Sequence, residues 1–256
     1  MTKHFDVKKI KKIQKDELGV LESFDEVCKK KGVLYSLAFG NLLGAIRHKG
    51  FIPWDDDVDI IMDHKNYEKL VESEKYFEKE GVFFERFAGN NTFEQILLKV
   101  VSPGKNIIFD IFVLRDISEN TIRKKIQLFL SYLFIVFEYL QVTDFKRKKG
   151  GILKKIFYLF LRGIQCLFKK INLSKYSYKL YINIYNIFMG KKKGFLLLGP
   201  RVTFLNFSRK DIYPLKKVPY EKLQIPIMNN HERFLCDQYG DYMKLPEEAR
   251  RAPHHQ

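Results

Sequence analysis

Four aspartates fall within five residues, in Trp54-Asp55-Asp56-Asp57-Val58-Asp59, and the apolar run Ile60-Ile61-Met62 follows at once. Acidic clusters ordinarily sit in solvated loops, where repulsion is screened. This one leads directly into a segment with the composition of a buried β-strand. Side chains alternate along a strand, so Asp57 and Asp59 project to the same face. Two neighbouring carboxylates disfavour each other's charged form unless something positive lies between them. A divalent cation with all-oxygen ligands, Mg²⁺ (or Mn²⁺), meets that need. The plainer alternative is an Asp-rich turn that caps a helix.

Two further features favour the metal. Asp110 interrupts the apolar run Ile107-Ile108-Phe109-Asp110-Ile111-Phe112-Val113-Leu114, and a lone buried carboxylate on a core strand is costly unless paired or metal-bound. The stretch from Phe39 to Gly50 carries glycines at Gly40 and Gly44. A strand-to-helix turn over Gly40–Gly44 would aim backbone N–H groups at a phosphate, with Arg47, His48 and Lys49 adding positive charge. Phosphate cradle, paired aspartates and a third buried aspartate form a coherent set for chemistry on a phosphate ester.

The run from Phe39 to Asp59, FGNLLGAIRHKGFIPWDDDVD, resembles the signature of the LicD family, which includes bacterial phosphocholine transferases and is related to fukutin and fukutin-related protein. Phe109-Asp110-Ile111-Phe112 resembles that family's second motif, and Tyr239-Gly240-Asp241-Tyr242-Met243-Lys244-Leu245-Pro246 its third. The resemblance covers roughly residues 20–120 and 195–255. It implies a nucleotidyltransferase-type α/β (α+β) fold, a mixed sheet flanked by helices, and transfer of a phospho-alcohol from a CDP-activated donor to a glycan hydroxyl. Carried over, Asp57 and Asp59 match the metal-binding pair and Asp110 the third acidic residue. Asn41 stands where the family usually has Thr or Ser; Asn still donates a hydrogen bond to phosphate.

The 256 residues suffice for one domain with a substantial core, or one domain with an insertion. With 46% hydrophobic residues, 23 Phe and 14 Tyr, extensive disorder is excluded. Cys28, Cys166 and Cys236 are too few and too far apart for a disulfide framework or a thiolate metal site, and Cys28 falls on an apolar helical face. The first residues lack the apolar run of a signal peptide. A cytoplasmic protein is the expectation.

The net charge of +16 is unevenly spread. Residues 121–194 hold 17 Lys or Arg against two acidic residues, leaving +1 for all the rest. Three parts are therefore expected: a catalytic core over 1–120, a basic amphipathic helical insertion over 121–194, and a loop-rich C-terminal lobe over 195–256 that completes the catalytic domain. Within the core, periodicity predicts a helix over 7–31, strands at Val33–Leu37 and Val58–Met62, and a helix from Asp63 or His64 to about Lys79. A short strand follows at Val82–Arg86. Phe93–Val101 and Ile107–Leu114 read as a hairpin that sets Asp110 beside the strand of Asp57 and Asp59. Lys99, on the partner strand, reaches a donor phosphate or is simply an edge lysine. In the insertion, Ile126–Leu140 is short for a bilayer span. Ile152–Ile171, after Lys146-Arg147-Lys148-Lys149, has the composition of a basic interfacial helix. A helical subdomain with a solvated basic surface is the alternative, and nucleic-acid binding the least favoured reading. In the C-terminal lobe, a helix is expected over Glu232–Tyr239; Arg250, Arg251, His254 and His255 form a basic tail that the resemblance implies lies near the third motif, where one of them would touch the donor phosphates, with a disordered tail as the alternative.

The expected reaction is phosphoryl transfer, which needs positioning and charge stabilisation more than covalent help. Two ions held by Asp57, Asp59 and Asp110 neutralise the donor diphosphate. The Gly40–Gly44 turn, with Asn41, and Arg47 hold its oxygens, and Asp110 takes the acceptor proton. Asp55 and Asp56 orient the metal ligands. His48 is a phosphate ligand or a structural hydrogen-bonding group, and Trp54 stacks on a base or braces its loop. A polyprenyl-linked glycan acceptor would account for an anionic-membrane-facing patch, at the inner face of the cytoplasmic membrane. Glycerol- or ribitol-phosphate transfer, nucleotidyl transfer to RNA or a small molecule, and a non-catalytic membrane-surface adaptor are the competing readings.

Overall fold

The computed structural model describes residues 6–85, 97–105, 107–142, 163, 166, 174–198, 204–247 and 251–253. The described residues fall in two compact units. One is drawn from Met1–Arg86, Leu97–Arg115 and Asn206–Gln256, the other from Phe87–Ile96 and Asp116–Leu205. The basic run at 146–149, nearly all of the expected helix over 152–171, the beginning of the expected hairpin at 93–96, and Arg250, His254 and His255 lie outside the described residues.

The first unit opens with helix α1 (Val7–Lys31). Asp6 caps its first turn by accepting from the backbone of Lys8 and Lys9, and Lys29, Lys30 and Lys31 complement the negative end of its dipole. Gly32 ends it in the left-handed conformation, at φ 64°. The helix buries Ile10, Ile13, Val20, Leu21, Phe24 and Val27, the 3.6-residue stripe of an amphipathic helix, together with Cys28. After it come β1 (Ser36–Leu37), α2 (Phe39–Arg47), β2 (Val58–Asp63), α3 (His64–Glu72), α4 (Glu74–Lys79), β3 (Phe83–Glu85), β4 (Leu97–Val101) and β5 (Phe109–Ser118). Asp63 caps α3 through the Asn66 amide at 2.9 Å. The helix expected to run on to Lys79 breaks at Ser73, whose N–H turns back to the carbonyls of Lys69 and Leu70.

Helices α5 (Thr121–Val142) and α6 (Ser174–Ile187) and strand β6 (Lys192–Leu198) form the described body of the second unit. Its core gathers Ile117, Phe134, Tyr181, Tyr185 and Leu196. Phe134 and Tyr181 stack with centroids 4.4 Å apart, and the Tyr185 hydroxyl donates to the Asp116 carbonyl at 2.8 Å. The chain continues through β7 (Phe204–Ser208), α7 (Arg209–Ile212), β8 (Lys216–Tyr220), β9 (Leu223–Ile227) and α8 (His231–Tyr239).

Seven strands of the sheet run in the order β3-β4-β5-β2-β1-β9-β8. The sheet is mixed. β2 and β5 are parallel, as are β1 and β9, while β1–β2, β3–β4, β4–β5 and β8–β9 are antiparallel. The expected neighbourhood of β5 and β2 is therefore present. Helices cover both faces. Phe24 of α1 meets Phe109 at 5.3 Å and Phe77 of α4 at 5.4 Å. Phe39 of α2 meets Phe112 at 5.2 Å and Phe234 of α8 at 5.5 Å. Phe109 and Phe112 are three residues apart on β5 and point to opposite faces. Asp110 thus shares the face of α2 and α8, away from α1. This is an α+β fold, a mixed sheet flanked by helices, in agreement with the expectation.

One local reading is corrected. The Gly40–Gly44 segment is not a turn before a helix; α2 begins at Phe39, so both glycines are helical. The turn falls on Ala38 and Phe39, the latter at φ 43° and fixed by its ring contacts with Phe112 and Phe234. The glycines serve close approach instead. A Cβ on Gly44 would run into the backbone carbonyl of Gly50, and one on Gly40 would lie 2.8 Å from the Asp55 carboxylate. Alanine is the better helix former by about 1 kcal/mol, yet at Gly44 the clash is with backbone and dominates. Gly44→Ala is expected to lower unfolding stability by about 1–3 kcal/mol, as read by urea denaturation. A raised midpoint would show that the 48–52 segment yields freely.

Candidate active site

Strands β2 and β5 begin level with each other. Val58 pairs with Phe109 and Asp59 with Asp110. In-register neighbours on parallel strands point to the same face, so the Asp59 and Asp110 carboxylates are adjacent. Antiparallel pairing extends the row, with Lys99 of β4 opposite Asp110 and Glu85 of β3 opposite Lys99. Asp57 sits just ahead of β2 and lines the same cleft as Asp59.

The backbone of this acidic segment is held by Asn41. Its Nδ2 donates to the Asp57 carbonyl at 3.0 Å and to the Tyr220 hydroxyl at 3.2 Å, while its Oδ1 accepts from the Asp59 N–H. Asn41 is fully buried. Its amide clamps the metal-pair candidates from within, where the sequence suggested a contact to phosphate. Gln14 of α1 makes a second clamp, donating to the carbonyls of Ile52 and Asp55 at 3.0 and 2.8 Å. Asp55 and Asp56 are both buried. The Asp55 side chain lies against Gly40 at the start of α2, and its Oδ2 has no hydrogen-bond partner among the described residues.

The cluster's electrostatics are unfavourable as they stand. Burial raises the Asp55 carboxyl well above its usual range, and the charges of Asp57 and Asp56 raise it further. Asp59 is raised in the same way, by burial first and then by Asp57, Asp110, Asp55 and Glu17. Glu17, on the α1 side, is fully buried and accepts from the Ile108 N–H at 3.3 Å. Burial pushes its pKa up to about 9, with Asp57, Asp55 and Asp56 adding to the rise. It is therefore neutral at neutral pH.

The cleft above the aspartates has a volume of about 580 Å³. Asp55, Asp57 and Asp59 line it with Gly40 and Arg47 of α2, Trp54, Tyr239 at the end of α8, and Tyr242 and its neighbours beyond that helix. Arg47 is oriented by its own neighbours: Nη1 donates to the carbonyls of Tyr242 and Lys244 at 2.8 and 3.3 Å, and Nε approaches His48 Nδ1 at 3.4 Å. His48 is held below its ordinary pKa by burial and by the Arg47 charge, so it is neutral at pH 7. Trp54 lies between the His48 ring, at 6.4 Å, and the Arg251 guanidinium, at 5.7 Å, and Arg251 in turn donates to the Pro246 carbonyl at 2.9 Å. Those contacts make Trp54 a brace between the acidic loop and the chain's last described segment. Tyr239 extends into the acidic region: burial raises its phenol above the usual range, and Asp55, Asp59 and Asp57 act on it in the same direction.

Crowded carboxylates that raise one another suit a hard divalent cation. Asp57, Asp59 and Asp110 supply the all-oxygen donor set that such an ion prefers. Among the described residues no group of three or more acidic, His or Cys side chains is arranged to hold a metal ion. The fit therefore rests on donor chemistry and on repulsion.

Residues 32–139 match the family model described as LicD/FKTN/FKRP, nucleotidyltransferase domain. Over that span the chain is LicD-like. Along its length it is similar to the lipopolysaccharide cholinephosphotransferase LicD of Haemophilus influenzae, at 27% identity over 267 aligned positions, 93% of this chain and 92% of that protein. It also matches an uncharacterized protein of Rickettsia prowazekii, at 38% identity over 69 residues, 26% of each chain. A second uncharacterized protein, from Rickettsia typhi, matches at 40% over 47 residues, 18% of this chain and 15% of that one.

The structure thus brings Asp57, Asp59, Asp110, Gly40, Arg47, Trp54 and Asp55 together, and sets Asn41, His48, Asp56, Gly44 and Lys99 around them. Sequence reasoning passed over Glu17 and gave Tyr239 no role. Glu17 did leave a signal, since an acidic residue occupies the apolar phase of α1 between Ile13 and Val20. Its raised pKa has a measurable consequence. An acid whose folded pKa exceeds its unfolded one contributes stability that is complete below the unfolded value, here 4.5, and is lost as pH rises towards about 9. In EDTA, Glu17→Gln is expected to flatten the fall in unfolding free energy across that window and to raise stability at pH 8. Parallel pH profiles for the two proteins would remove the assignment.

Proposed function

We propose that this LicD-like phosphotransferase moves phosphocholine from a CDP-activated donor to a hydroxyl of a cell-surface glycan or its lipid-linked precursor. The observation that carries the reading is the level pairing of Asp59 with Asp110, with Asp57 and Asp59 lining a cleft that Arg47 also lines. The transferred alcohol follows the cholinephosphotransferase activity named for the Haemophilus relative, whose length this chain matches almost throughout.

In this reading Asp57, Asp59 and Asp110 would hold Mg²⁺ or Mn²⁺, as two ions. Bound there, the metal supplies charge neutralisation for the donor diphosphate. With Nη1 engaged by Tyr242 and Lys244 and Nε by His48, Arg47 would turn its Nη2 N–H groups to phosphate oxygens. The Tyr239 phenol, kept protonated, donates a hydrogen bond into the same region. The acceptor oxygen bonds to the phosphorus that carries choline as the bond from that phosphorus to the CMP oxygen breaks. CMP leaves with the electron pair, and Asp110 takes the acceptor proton. Asn41 and Gln14 keep the acidic backbone from relaxing while this happens.

A lipid-linked acceptor calls for an enzyme at the membrane surface, so we assign a peripheral position at the inner face of the cytoplasmic membrane. No helix among the described residues is long and apolar enough to cross a membrane.

Calorimetry with CDP-choline, CDP-glycerol, CDP-ribitol, CDP-ethanolamine, CMP and UDP-glucose in Mg²⁺ tests the proposal. CDP-choline is expected to bind in a metal-dependent way, and Asp59→Asn to lose that binding while staying folded. Preference for CDP-glycerol or CDP-ribitol would move the alcohol within the same reaction class. Binding to none of the CDP-alcohols would overturn the proposal.

A further inference from the structure

Helix α5 carries its amphipathicity reversed. Its packed side presents Gln127 and Ser131, both fully buried, with Phe134. Gln127 Oε1 accepts from the Ser118 N–H at 2.8 Å. The Ser131 hydroxyl bonds the Gln127 carbonyl at 2.7 Å and the Tyr181 hydroxyl at 2.8 Å. Polar groups are thus satisfied inside the second unit, on a network specific enough to fix how the helix is rolled. The opposite side is apolar and open. Ile122 is 70% exposed, Phe129 59% and Leu133 46%. At 100° per residue these three fall within about 40° of one another, facing away from Gln127 and Ser131. Tyr132, also exposed, widens the stripe.

Single exposed apolar residues are ordinary, whereas a contiguous stripe along a helix marks an interaction surface. Charge indicates what lies against it. Residues 121–194 hold all but one unit of the protein's net positive charge. On α5 itself Arg123, Lys124 and Lys125 cluster at the start of the stripe against a single acidic residue, Glu138, and Arg123 and Lys125 are exposed. A second copy of so basic a unit would be repelled. An anionic lipid surface satisfies both parts, taking apolar side chains into its interface and cations at its headgroups.

We infer that the outward face of α5 is where this protein lies on an anionic membrane, with Ile122, Phe129 and Leu133 entering the interface and Lys125 at headgroup phosphates. The inference deepens the peripheral placement proposed above and is independent of the donor's identity.

Co-sedimentation of the full chain with vesicles tests it without substrate. Wild-type protein is expected to bind phosphatidylglycerol/phosphatidylethanolamine vesicles, more weakly as salt rises, and not vesicles of phosphatidylcholine alone. Phe129→Asp with Leu133→Asp should weaken binding by about tenfold or more with an unchanged thermal midpoint, and Ile122→Ser should weaken it less. Undiminished vesicle binding by the double variant overturns the inference. So does a collapse of its thermal midpoint, which would mean that the face is covered by another part of this chain. A wild-type dimer that the double variant dissolves would assign the face to a second copy and overturn it as well. Intact vesicle binding with failure of the donor panel would sink the proposed reaction and leave this surface standing.

Discussion

Mutual repulsion among Asp55, Asp57, Asp59 and Asp110 is the constraint around which the first unit is arranged. Left alone, such a cluster would splay apart or take up protons, and the carboxyls of Asp55 and Asp59 are raised by burial first and by their neighbours' charges second. The fold opposes it through the backbone. Parallel pairing of β2 with β5 fixes the Asp59–Asp110 neighbourhood, and the Asn41 and Gln14 amides fasten the approach to β2 at Asp55, Asp57 and Asp59. Glu17 stays neutral beneath the cluster rather than adding a further charge. Such a site stores electrostatic strain that a divalent ion and a diphosphate would relieve, and catalytic preorganisation needs that condition.

The second unit solves a different problem. Its helices bury hydrogen-bonded polar side chains, Gln127 and Ser131 with Tyr181, and turn aliphatic and aromatic ones outwards. Confining the excess positive charge to this part leaves the catalytic unit nearly neutral. In the proposals above, surface attachment and donor chemistry therefore fall on different stretches of the chain.

Much of the first unit was legible in the sequence because its signals are local. The apolar stripe of α1, the apolar runs of β2 and β5, and Asp63 as a helix start were all readable from the sequence. The adjacency of Asp110 to Asp59 followed from placing two apolar runs beside each other. What escaped was tertiary. Gly40 and Gly44 looked like turn residues, but their role is to let Asp55 and the Gly50 carbonyl come close to α2, and that depends on a loop folding back. Asn41 had the chemistry of a phosphate ligand, and only the arrival of β2 and Tyr220 shows its amide occupied. The reversed face of α5 was hidden for the same reason: Ile126–Leu140 is apolar nearly all round, so the buried side is decided by partners such as Ser118 and Tyr181.

The most direct test of the account is a Mn²⁺ titration followed by electron paramagnetic resonance and thermal unfolding at pH 7, on wild-type protein and on Asp59→Asn. Relief of carboxylate repulsion predicts that Mn²⁺ binds the wild-type protein and raises its thermal midpoint. It also predicts that Asp59→Asn is the more stable of the two in EDTA but gains little from the metal. Equal metal responses in the two proteins, or no Mn²⁺ binding by the wild type even with CDP-choline present, would contradict it.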